Sequence, residues 1–391
     1  MKKRQGRDEF VLREDDPAED WDAKGPRSRT GQVSRDDRDP EAGSHGRTRK
    51  EQKEFRQAVQ KEVRREVKKQ VKRERKRGGL RRFLFTLILF VCLCLAGIYA
   101  VVNHAYGKMN YQEIASVKSE PMKEDGVINI LLIGNDSREN GEDGRSDAMI
   151  LLSVSTRTKT IAMTSLLRDM YVEIPGHDGN RLNAAYAFGG AELLMETIEK
   201  NLGITVNRYV QVNFEAFANL VDAVGGVDLE LSSGEKELVN GYLNEYNELT
   251  GKEFGTDYLQ DLTDGMVHLN GPQALAYSRN RYIGTDFGRT ERQRKVLAEV
   301  VHQLPQALWH PRALENGLLP NLTTNLTVGE CYRLTLMAPF GVRYDMQHGS
   351  IPLDGTYRDA TIRKMAVLEV DFDANRKYLQ ELLYEKKKEN G

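Results

Sequence analysis

Cysteine is scarce in this chain of 391 residues. Only three cysteines are present, and two of them, Cys92 and Cys94, lie in a long apolar run. Cys331 is therefore alone in the C-terminal part, which cannot contain an internal disulfide. That part must be stabilised by an ordinary hydrophobic core, which about 270 residues can build.

Three other patterns are missing. The seven histidines are scattered without metal-ligand spacing, and Ser137, Ser146 and Ser153 have no nearby histidine in a triad-like arrangement. No G-x-x-x-x-G-K-[ST] loop occurs, so nucleotide hydrolysis of that type is unsupported. The sequence gives no support to a histidine metal site or to a serine nucleophile.

Residues 83–102 form a run of 20 residues without a charge. At 1.5 Å per residue, a helix of this length spans the ~30 Å hydrocarbon core of a bilayer. A buried core helix would show a polar face, which this run does not. A cleaved signal peptide would have a far shorter charged leader than 82 residues. We therefore predict a transmembrane anchor at 83–102.

Charge is divided unevenly around this run. Residues 1–82 contain 27 basic and 17 acidic residues, a net of +10, whereas residues 83–391 contain 30 and 41, a net of −11. Basic residues gather on the cytoplasmic side of a membrane helix. The expected protein is a single-pass membrane protein, with residues 1–82 in the cytoplasm, a stalk at 103–120 and an extracytoplasmic domain at 121–391.

The N-terminal tail divides into two parts. Residues 1–47 are rich in charge, Gly and Pro, which predicts disorder, and residues 48–77 show an apolar residue every four positions, which predicts a helix. Residues 61–82 contain 12 basic and 3 acidic residues, which favours attraction to anionic lipid at the inner leaflet. A nucleic-acid partner is not expected, because no base-reading module and no interleaved aromatic residues are present.

The C-terminal part alternates between strand-like and helix-like segments. Three apolar runs of strand length, VINILLIG, AMILLSVS and TIAMTSLL, are followed by a helix that can end at Gly203. Further along, GPQALAYS is a short helix with Pro272 in its first turn, and RTERQRKVLAEVVHQL is a long amphipathic helix. The first three strands are joined by turns too short for parallel crossovers. These features predict a layered α/β/α domain with a mixed central sheet.

The loop between the first two runs is unusually charged. It contains Asp136, Arg138, Arg145 and Asp147 between two buried strands. Two carboxylates ~4 Å apart repel by ~4 kcal/mol at an effective dielectric of 20, and a divalent cation removes that repulsion. The loop is a candidate metal–phosphate site, and pairing of the Asp and Arg side chains with each other is the structural alternative.

Arginines recur at strand ends and loops of the same domain. Toward the N-terminus of the long helix, the face that carries its apolar stripe continues through Gln293 and Arg289. Arg294 lies outside this face and is expected to be solvated. The others are Arg168 at a strand tip, Arg181, and the pair Arg279 and Arg281, whose i, i+2 spacing would place both on one side of an extended backbone. Arg presents a planar fork that binds phosphate through two hydrogen bonds. This set favours a phosphate cradle, with structural salt bridges as the alternative.

Several motifs agree in order with one family. NILLIGNDSR, GRSDAMILLSV, SLLRDMYVEIPG, RLNAAYAFGG, VNFEAFANLVDAVGGVDLEL, LNGPQALAYSRNR and DFGRTERQRKVL resemble successive segments of the LytR–CpsA–Psr family. The resemblance covers residues 127–304. Arg181 stands where the family often has Lys, and SLLRD replaces a common S-x-P-R-D.

The resemblance implies a phosphotransferase. Members of this family act in the Gram-positive type of envelope, where they move a glycopolymer, such as teichoic acid or capsule, from an undecaprenyl-pyrophosphate carrier onto peptidoglycan. By resemblance, Asp136 and Asp147 would hold Mg²⁺, or Mn²⁺ in its place, and Asp169 would orient Arg168 or handle a proton. The implied pyrophosphate-binding residues are Arg145, Arg168, Arg181, Arg279, Arg281, Arg289 and Gln293. The implied catalytic set is Asp136, Asp147, Arg168, Asp169, Arg279 and Arg281.

Three other functions are compatible with parts of the pattern. A non-catalytic protein could use the arginines only to hold an anionic envelope polymer, although the complete Asp pair argues against it. A transcriptional attenuator acting through the basic tail is opposed by the anchor and by the absence of a DNA-reading motif. A lipid-pyrophosphate hydrolase would use the same cradle with water in place of the sugar hydroxyl, and the sequence does not separate it from a transferase.

Overall fold

The structure, a computed structural model, describes residues 49–117, 122–135, 146–280, 286–307, 314–341 and 343–385. Chain contacts divide the protein into two compact units, Met1–Arg82 and Phe83–Gly391. The residues described in the first unit are helical. The stretch predicted to be disordered, 1–47, lies outside the described residues.

The helices have the following bounds: α1 Arg49–Tyr106, α2 Leu182–Leu202, α3 Phe214–Ala223, α4 Ser233–Thr250, α5 Gly271–Arg279, α6 Asp286–Ala307, α7 Val328–Gly341 and α8 Phe372–Tyr384. The strands are β1 Asn110–Tyr111, β2 Lys123–Glu124, β3 Val127–Asn135, β4 Ser146–Ser155, β5 Thr160–Leu166, β6 Tyr171–Val172, β7 Asn180–Arg181, β8 Arg208–Val212, β9 Val227–Leu231, β10 Gly265–Leu269, β11 Leu322–Thr324, β12 Asp345–Ile351, β13 Tyr357–Ile362 and β14 Met365–Val370.

The C-terminal half of α1 is apolar. Among the described residues, one helical segment, Phe83–Tyr106, is long and apolar enough to cross a membrane, and none of its most apolar window is buried in the protein. Large apolar side chains such as Phe85, Phe90 and Leu93 are therefore exposed along it. Beyond this segment, β1 pairs with β11, so part of the predicted stalk contributes a strand to the edge of the main sheet.

The centre of the second unit is an 8-stranded mixed sheet in the order β1-β11-β8-β3-β4-β5-β12, with β2 paired to β3. Strand β4 runs antiparallel to both β3 and β5, as the short connections between these strands predict. Strand β8 is parallel to β3, and β12 is parallel to β5. The domain is thus a mixed α/β structure around a mixed sheet, as predicted.

Helices contact both faces of this sheet. Leu151 of β4 belongs to the same buried cluster as Leu194 of α2 and Leu379 of α8. Helices α2 and α8 therefore cover the face of the sheet on which Leu151 lies. Thr164 pairs with Leu151 across the strands, so the next residue, Ser165, belongs to the opposite face. The Arg294 side chain of α6 bonds to Ser165, which places α6 on that opposite face.

A second core lies beside α6. Val221 of α3, Leu229 of β9, Leu243 of α4, Tyr277 of α5 and Val296 of α6 belong to one buried cluster. Helix α6 therefore has two buried sides, one toward the sheet and one toward this cluster. That position determines which of its charged side chains are hidden from water.

Helix ends follow the local sequence. Gly203 closes α2 with φ of 65°, a left-handed conformation that glycine adopts without strain, as predicted. Asn270 and Gln273 form a capping box at the start of α5, where Pro272 occupies the first turn.

Candidate functional site

Five charged side chains form a continuous chain of ion pairs where β5 ends and α6 begins. The members, in order of contact, are Arg181, Asp169, Arg168, Asp286 and Arg289. Asp169 lies 3.5 Å from Arg181 Nη1 and 3.4 Å from Arg168 Nε. Asp286 lies 3.6 Å from Arg168 Nη2 and 3.4 Å from Arg289 Nη2. We call these five residues the arginine chain.

The fold brings the arginine chain together from three places. Arg168 and Asp169 follow the end of β5, and Arg181 ends β7, where its Nε donates to the Ala366 carbonyl at 3.0 Å. Asp286 and Arg289 belong to the first turn of α6. Four of the five residues were predicted site residues, and their convergence gives the candidate site a definite location.

The contacts in the arginine chain are loose compared with a structural ion pair in the same domain. Arg208 binds Glu330 through Nη2 at 2.7 Å and Nε at 3.0 Å, and both side chains are buried. The pairs in the arginine chain are 3.4–3.6 Å long, above the 2.7–2.9 Å of a strong charge-assisted hydrogen bond. The four contacts within the arginine chain therefore lack the tight two-bond geometry of the Arg208–Glu330 pair.

Arg289 and Gln293 lie one helical turn apart on α6, and both point inward. Arg289 is only 3% exposed. The side-chain oxygen of Gln293 is buried and has no hydrogen-bond partner among the described residues. Because a buried polar atom without a partner is destabilising, this oxygen marks a position where a ligand donor would be stabilised.

The described contacts of Arg279 are with residues outside the arginine chain. Its guanidinium carbon is 4.5 Å from the ring centre of Phe214, and its Nη2 is 3.8 Å from Glu245. Arg279 is the last residue of α5. The predicted extended i, i+2 arrangement is therefore wrong for Arg279, because the helix continues through it; Arg281 lies outside the described residues.

The prediction for Arg294 is also wrong. Arg294 is 9% exposed rather than solvated, and its Nη1 donates to Ser165 Oγ at 2.7 Å. Burial lowers the pKa of its guanidinium from the usual value. The prediction assumed that α6 has one apolar stripe and therefore one buried side. In the structure α6 has two buried sides, and Arg294 lies on one of them. Arg294 links α6 to β5, two elements that contribute to the arginine chain.

Asp147 occupies an irregular position in β4. Gly134 pairs with Ala148 and Asn135 pairs with Ser146, so Asp147 is an extra residue that no residue of β3 opposes. Such a β-bulge re-aims a side chain at the end of a strand pair and is frequent at functional sites. The structure describes the backbone of Asp147 and not its side chain.

Other predicted residues of this loop lie outside the described residues. They are Asp136, Arg138 and Arg145. Within the described ranges, no group of three or more His, Cys, Asp or Glu residues is arranged to hold a metal ion. The donor set of the predicted metal site consists of carboxylate oxygens, which Mg²⁺ prefers. The metal site stays a prediction, and the chemistry of its donors fits Mg²⁺.

Asp286 is a site residue that sequence reasoning missed. It connects Arg168 to Arg289, and without it the two arginines would repel each other. A signal was present, because Asp286 stands three residues before Arg289 at the start of a helix, where i, i+3 side chains meet and an acidic residue is favoured.

A polar group adjoins the end of β3. Asn135 donates to the Tyr186 hydroxyl at 3.4 Å, and that hydroxyl donates to Gln211 at 2.7 Å. Burial raises the pKa of Tyr186 above its usual value. Tyr186 therefore stays a neutral hydroxyl that fixes Asn135, the residue immediately before Asp136.

Comparisons with known proteins show which family this chain resembles. The LytR_cpsA_psr family model matches residues 97–381. The polyisoprenyl-teichoic acid–peptidoglycan teichoic acid transferase TagU of Enterococcus faecalis is 33% identical over 282 residues, which are 68% of this chain and 86% of that protein.

Solved structures of the same family have a similar fold. Bacillus subtilis TagT superposes with a TM-score of 0.52 at 27% identity, covering 70% of this chain and 98% of that chain. A LytR-CPS2A-psr family protein, YwtF (TagT), with bound octaprenyl pyrophosphate lipid also superposes with a TM-score of 0.52 at 27% identity, covering 70% of this chain and 99% of that chain. From the family match, the relatives and the shared fold, this chain belongs to the LytR–CpsA–Psr family.

Proposed function

We propose that this protein transfers a glycopolymer from a polyprenyl-pyrophosphate carrier to peptidoglycan. The observation that carries the proposal is the arginine chain, in which three guanidinium groups converge on one place at the end of β5. A pyrophosphate offers several oxygens with negative charge, and planar guanidinium forks match them. The relatives support the same function, because TagU is named for the transfer of teichoic acid from polyisoprenyl to peptidoglycan.

The proposed reaction is a phosphoryl transfer. The hydroxyl oxygen of peptidoglycan forms a bond to the phosphorus on the sugar side, and the bond from that phosphorus to the bridging oxygen breaks. The bridging oxygen leaves with the electron pair as part of polyprenyl phosphate. The hydroxyl proton passes to a carboxylate or to water, and Asp147 is our candidate acceptor.

The protein's main contribution is electrostatic. Arg168, Arg181 and Arg289 bind the pyrophosphate oxygens and stabilise the charge that accumulates on them. Asp169 and Asp286 hold the guanidinium groups in place, so Asp169 orients Arg168. When bound by Asp136 and Asp147, Mg²⁺ would supply further positive charge against the same oxygens.

A transfer assay tests this proposal directly. The full chain in lipid vesicles would receive a polyprenyl-pyrophosphate glycan with a labelled sugar, together with isolated peptidoglycan. We expect the label to become insoluble, attached to peptidoglycan. Release of a soluble glycan phosphate instead would identify a pyrophosphate hydrolase, and an unchanged donor that still binds the protein would identify a non-catalytic binding protein.

Arg279→Lys and Arg281→Lys are each expected to lower transfer at least about tenfold, or ~1.4 kcal/mol of transition-state stabilisation. Lys preserves the charge but has no planar fork for two parallel hydrogen bonds. The measurement is steady-state transfer at saturating Mg²⁺. Arg358→Lys is the matched control, because Arg358 is exposed and pairs with Glu369 on a surface hairpin. Wild-type transfer rates in the Arg279→Lys and Arg281→Lys variants would indicate that these arginines contribute only a diffuse positive electrostatic field and do not bind pyrophosphate through two parallel hydrogen bonds.

We also propose that the protein is anchored by one membrane span, with residues 1–82 in the cytoplasm and the catalytic domain outside. The apolar segment Phe83–Tyr106 and the basic residues that precede it support this orientation. The basic residues 61–82 would contact anionic lipid at the inner leaflet.

Protease added to intact protoplasts is expected to digest the catalytic domain and to spare the N-terminal tail. Antibodies against tags at the two ends would follow the fragments. A cytoplasmic protein probed in the same sample must stay intact as the control. Digestion of the tail alone would reverse the orientation and contradict an envelope function.

A further inference from the structure

Helix α7 contacts the apolar segment of α1 far from the segment's end. The Tyr332 hydroxyl donates to the Leu95 backbone carbonyl at 3.2 Å. The Tyr332 ring also packs edge-to-face against Tyr99, with ring centres 5.5 Å apart. Closer to the domain, His104 Nε2 lies 2.9 Å from Glu315. The C-terminal half of the apolar segment therefore contacts the domain at two places along its length, around Leu95 and Tyr99 and again at His104.

The length of the segment determines what this contact means. From Phe83 to Leu95 there are twelve residue steps, or ~18 Å of helix at 1.5 Å per residue. The hydrocarbon core is ~30 Å thick, so a membrane that ended at Leu95 would leave the span short by ~12 Å. Arg81 and Arg82 precede the segment and cannot extend it into hydrocarbon at low energy. Leu95 must then lie inside the bilayer, and Tyr332 must lie beside it.

We propose that α7 is inserted into the leaflet that the catalytic domain faces, with lipid acyl chains as the partner of its exposed side. This inference rests on the membrane anchoring proposed above. It does not depend on which side of the membrane the domain occupies, because the domain follows the span in the chain.

The composition of α7 fits this environment. Residues 334–341, LTLMAPFG, contain no charge, and Phe340 is 69% exposed to solvent in the isolated protein. The acidic Glu330 is buried and neutralised by Arg208. Arg333 is exposed, and its long side chain can extend toward the phosphate layer while its stem stays in hydrocarbon.

Insertion of α7 would orient the candidate site relative to the membrane. Glu330 binds Arg208, the first residue of β8, and β8 pairs in parallel with β3. Strand β3 leads to Asn135 and then to Asp136. The lipid contact is thus connected to the candidate site through one buried ion pair and one pair of adjacent strands, which would hold the site at a constant height above the bilayer.

Tryptophan quenching by brominated lipid tests the proposal. The two native tryptophans, Trp21 and Trp309, would be replaced by Phe in the full chain. Single tryptophans would then be introduced as Phe340→Trp in α7, Leu93→Trp in the span and Phe254→Trp in the loop after α4. Phe254 is the matched control, because it is 84% exposed and lies on an unrelated surface loop. Each variant would be reconstituted in vesicles of phosphatidylcholine with or without bromine on the acyl chains.

We expect brominated lipid to remove most of the emission at positions 340 and 93 and to leave position 254 unchanged. Quenching at 93 without quenching at 340 would overturn the insertion of α7 and leave the anchor and the proposed transfer intact. No quenching at 93 would overturn the anchor and the insertion together. Equal quenching at 254 and 340 would overturn a specific role for α7, because the whole domain would then contact lipid.

Discussion

Asp136→Asn and Asp147→Asn, made separately, are expected to lower Mg²⁺-dependent transfer by at least about a hundredfold, or ~2.7 kcal/mol. Each variant removes one negative charge from a pair that we propose holds the metal against the pyrophosphate, and the amide that replaces it binds a hard cation more weakly. The fold should survive, because Asp136 directly follows β3 in the sequence and Asp147 is the extra residue where the pairing of β3 and β4 becomes irregular.

The measurement is transfer of a labelled polyprenyl-pyrophosphate glycan at increasing Mg²⁺, with thermal melting to check folding. Asp178→Asn is the matched control, because Asp178 is exposed and pairs with Arg363 on the surface. Unchanged transfer in both variants, or unchanged transfer in the presence of a chelator, would assign the two carboxylates to structural pairing with Arg138 and Arg145.

Glu330→Ala is expected to destabilise the domain by about 3–5 kcal/mol. The variant removes the carboxylate that pairs with the buried Arg208, and a hydrogen bond to a carbonyl such as that of Asn207 does not neutralise the charge. At roughly 2–4 °C per kcal/mol for a domain of this size, the melting temperature should fall by at least about 6 °C. The measurement is thermal unfolding of the detergent-solubilised chain, followed by circular dichroism.

Glu369→Ala is the control for this prediction. Glu369 binds Arg358 at 2.8 Å, but both side chains are exposed, so its loss should change stability by less than about 1 kcal/mol. Equal destabilisation by the two variants would mean that burial does not determine the contribution of the Arg208–Glu330 pair.

The same ion pair makes stability depend on pH. Burial works to raise the pKa of Glu330, but the hydrogen bonds from Arg208 and Thr327 outweigh it, so the pKa lies below its usual value. A carboxyl group with a lowered folded-state pKa stabilises the fold above its unfolded pKa, and this contribution is lost as the pH falls through the folded pKa. The wild type should therefore lose more stability in acid than Glu330→Gln, which has no charge to titrate.

Much of the fold could be read from the sequence because its signals are local. The short turns between β3, β4 and β5 exclude parallel crossovers, and the left-handed glycine at Gly203 ends α2. The inward positions of Arg289 and Gln293 followed from helical periodicity, because residues three and four apart share a face. Convergence of Arg168 and Arg181 was inferred from their residue type and shown by their contacts with Asp169.

Other features depend on contacts between distant residues. Arg294 was expected in solvent because the sequence of α6 shows one apolar stripe, which predicts packing on one side only. In the structure α6 packs against both the sheet and a second core. The partner of Arg208 is Glu330, more than a hundred residues away, and no local pattern could pair them. The extra residue at Asp147 arises from the register between β3 and β4, which neither strand encodes alone.

The sequence alone determined the family, the apolar segment and the residue types of the candidate site, because composition, periodicity and motif order are properties of the chain itself. Tertiary structure decided which charges meet. Asp286 became part of the arginine chain because the start of α6 lies beside the end of β5, and Tyr332 reached Leu95 because α7 packs along the apolar segment. Charges and hydrogen bonds act over a few ångströms, so their partners depend on how the elements pack.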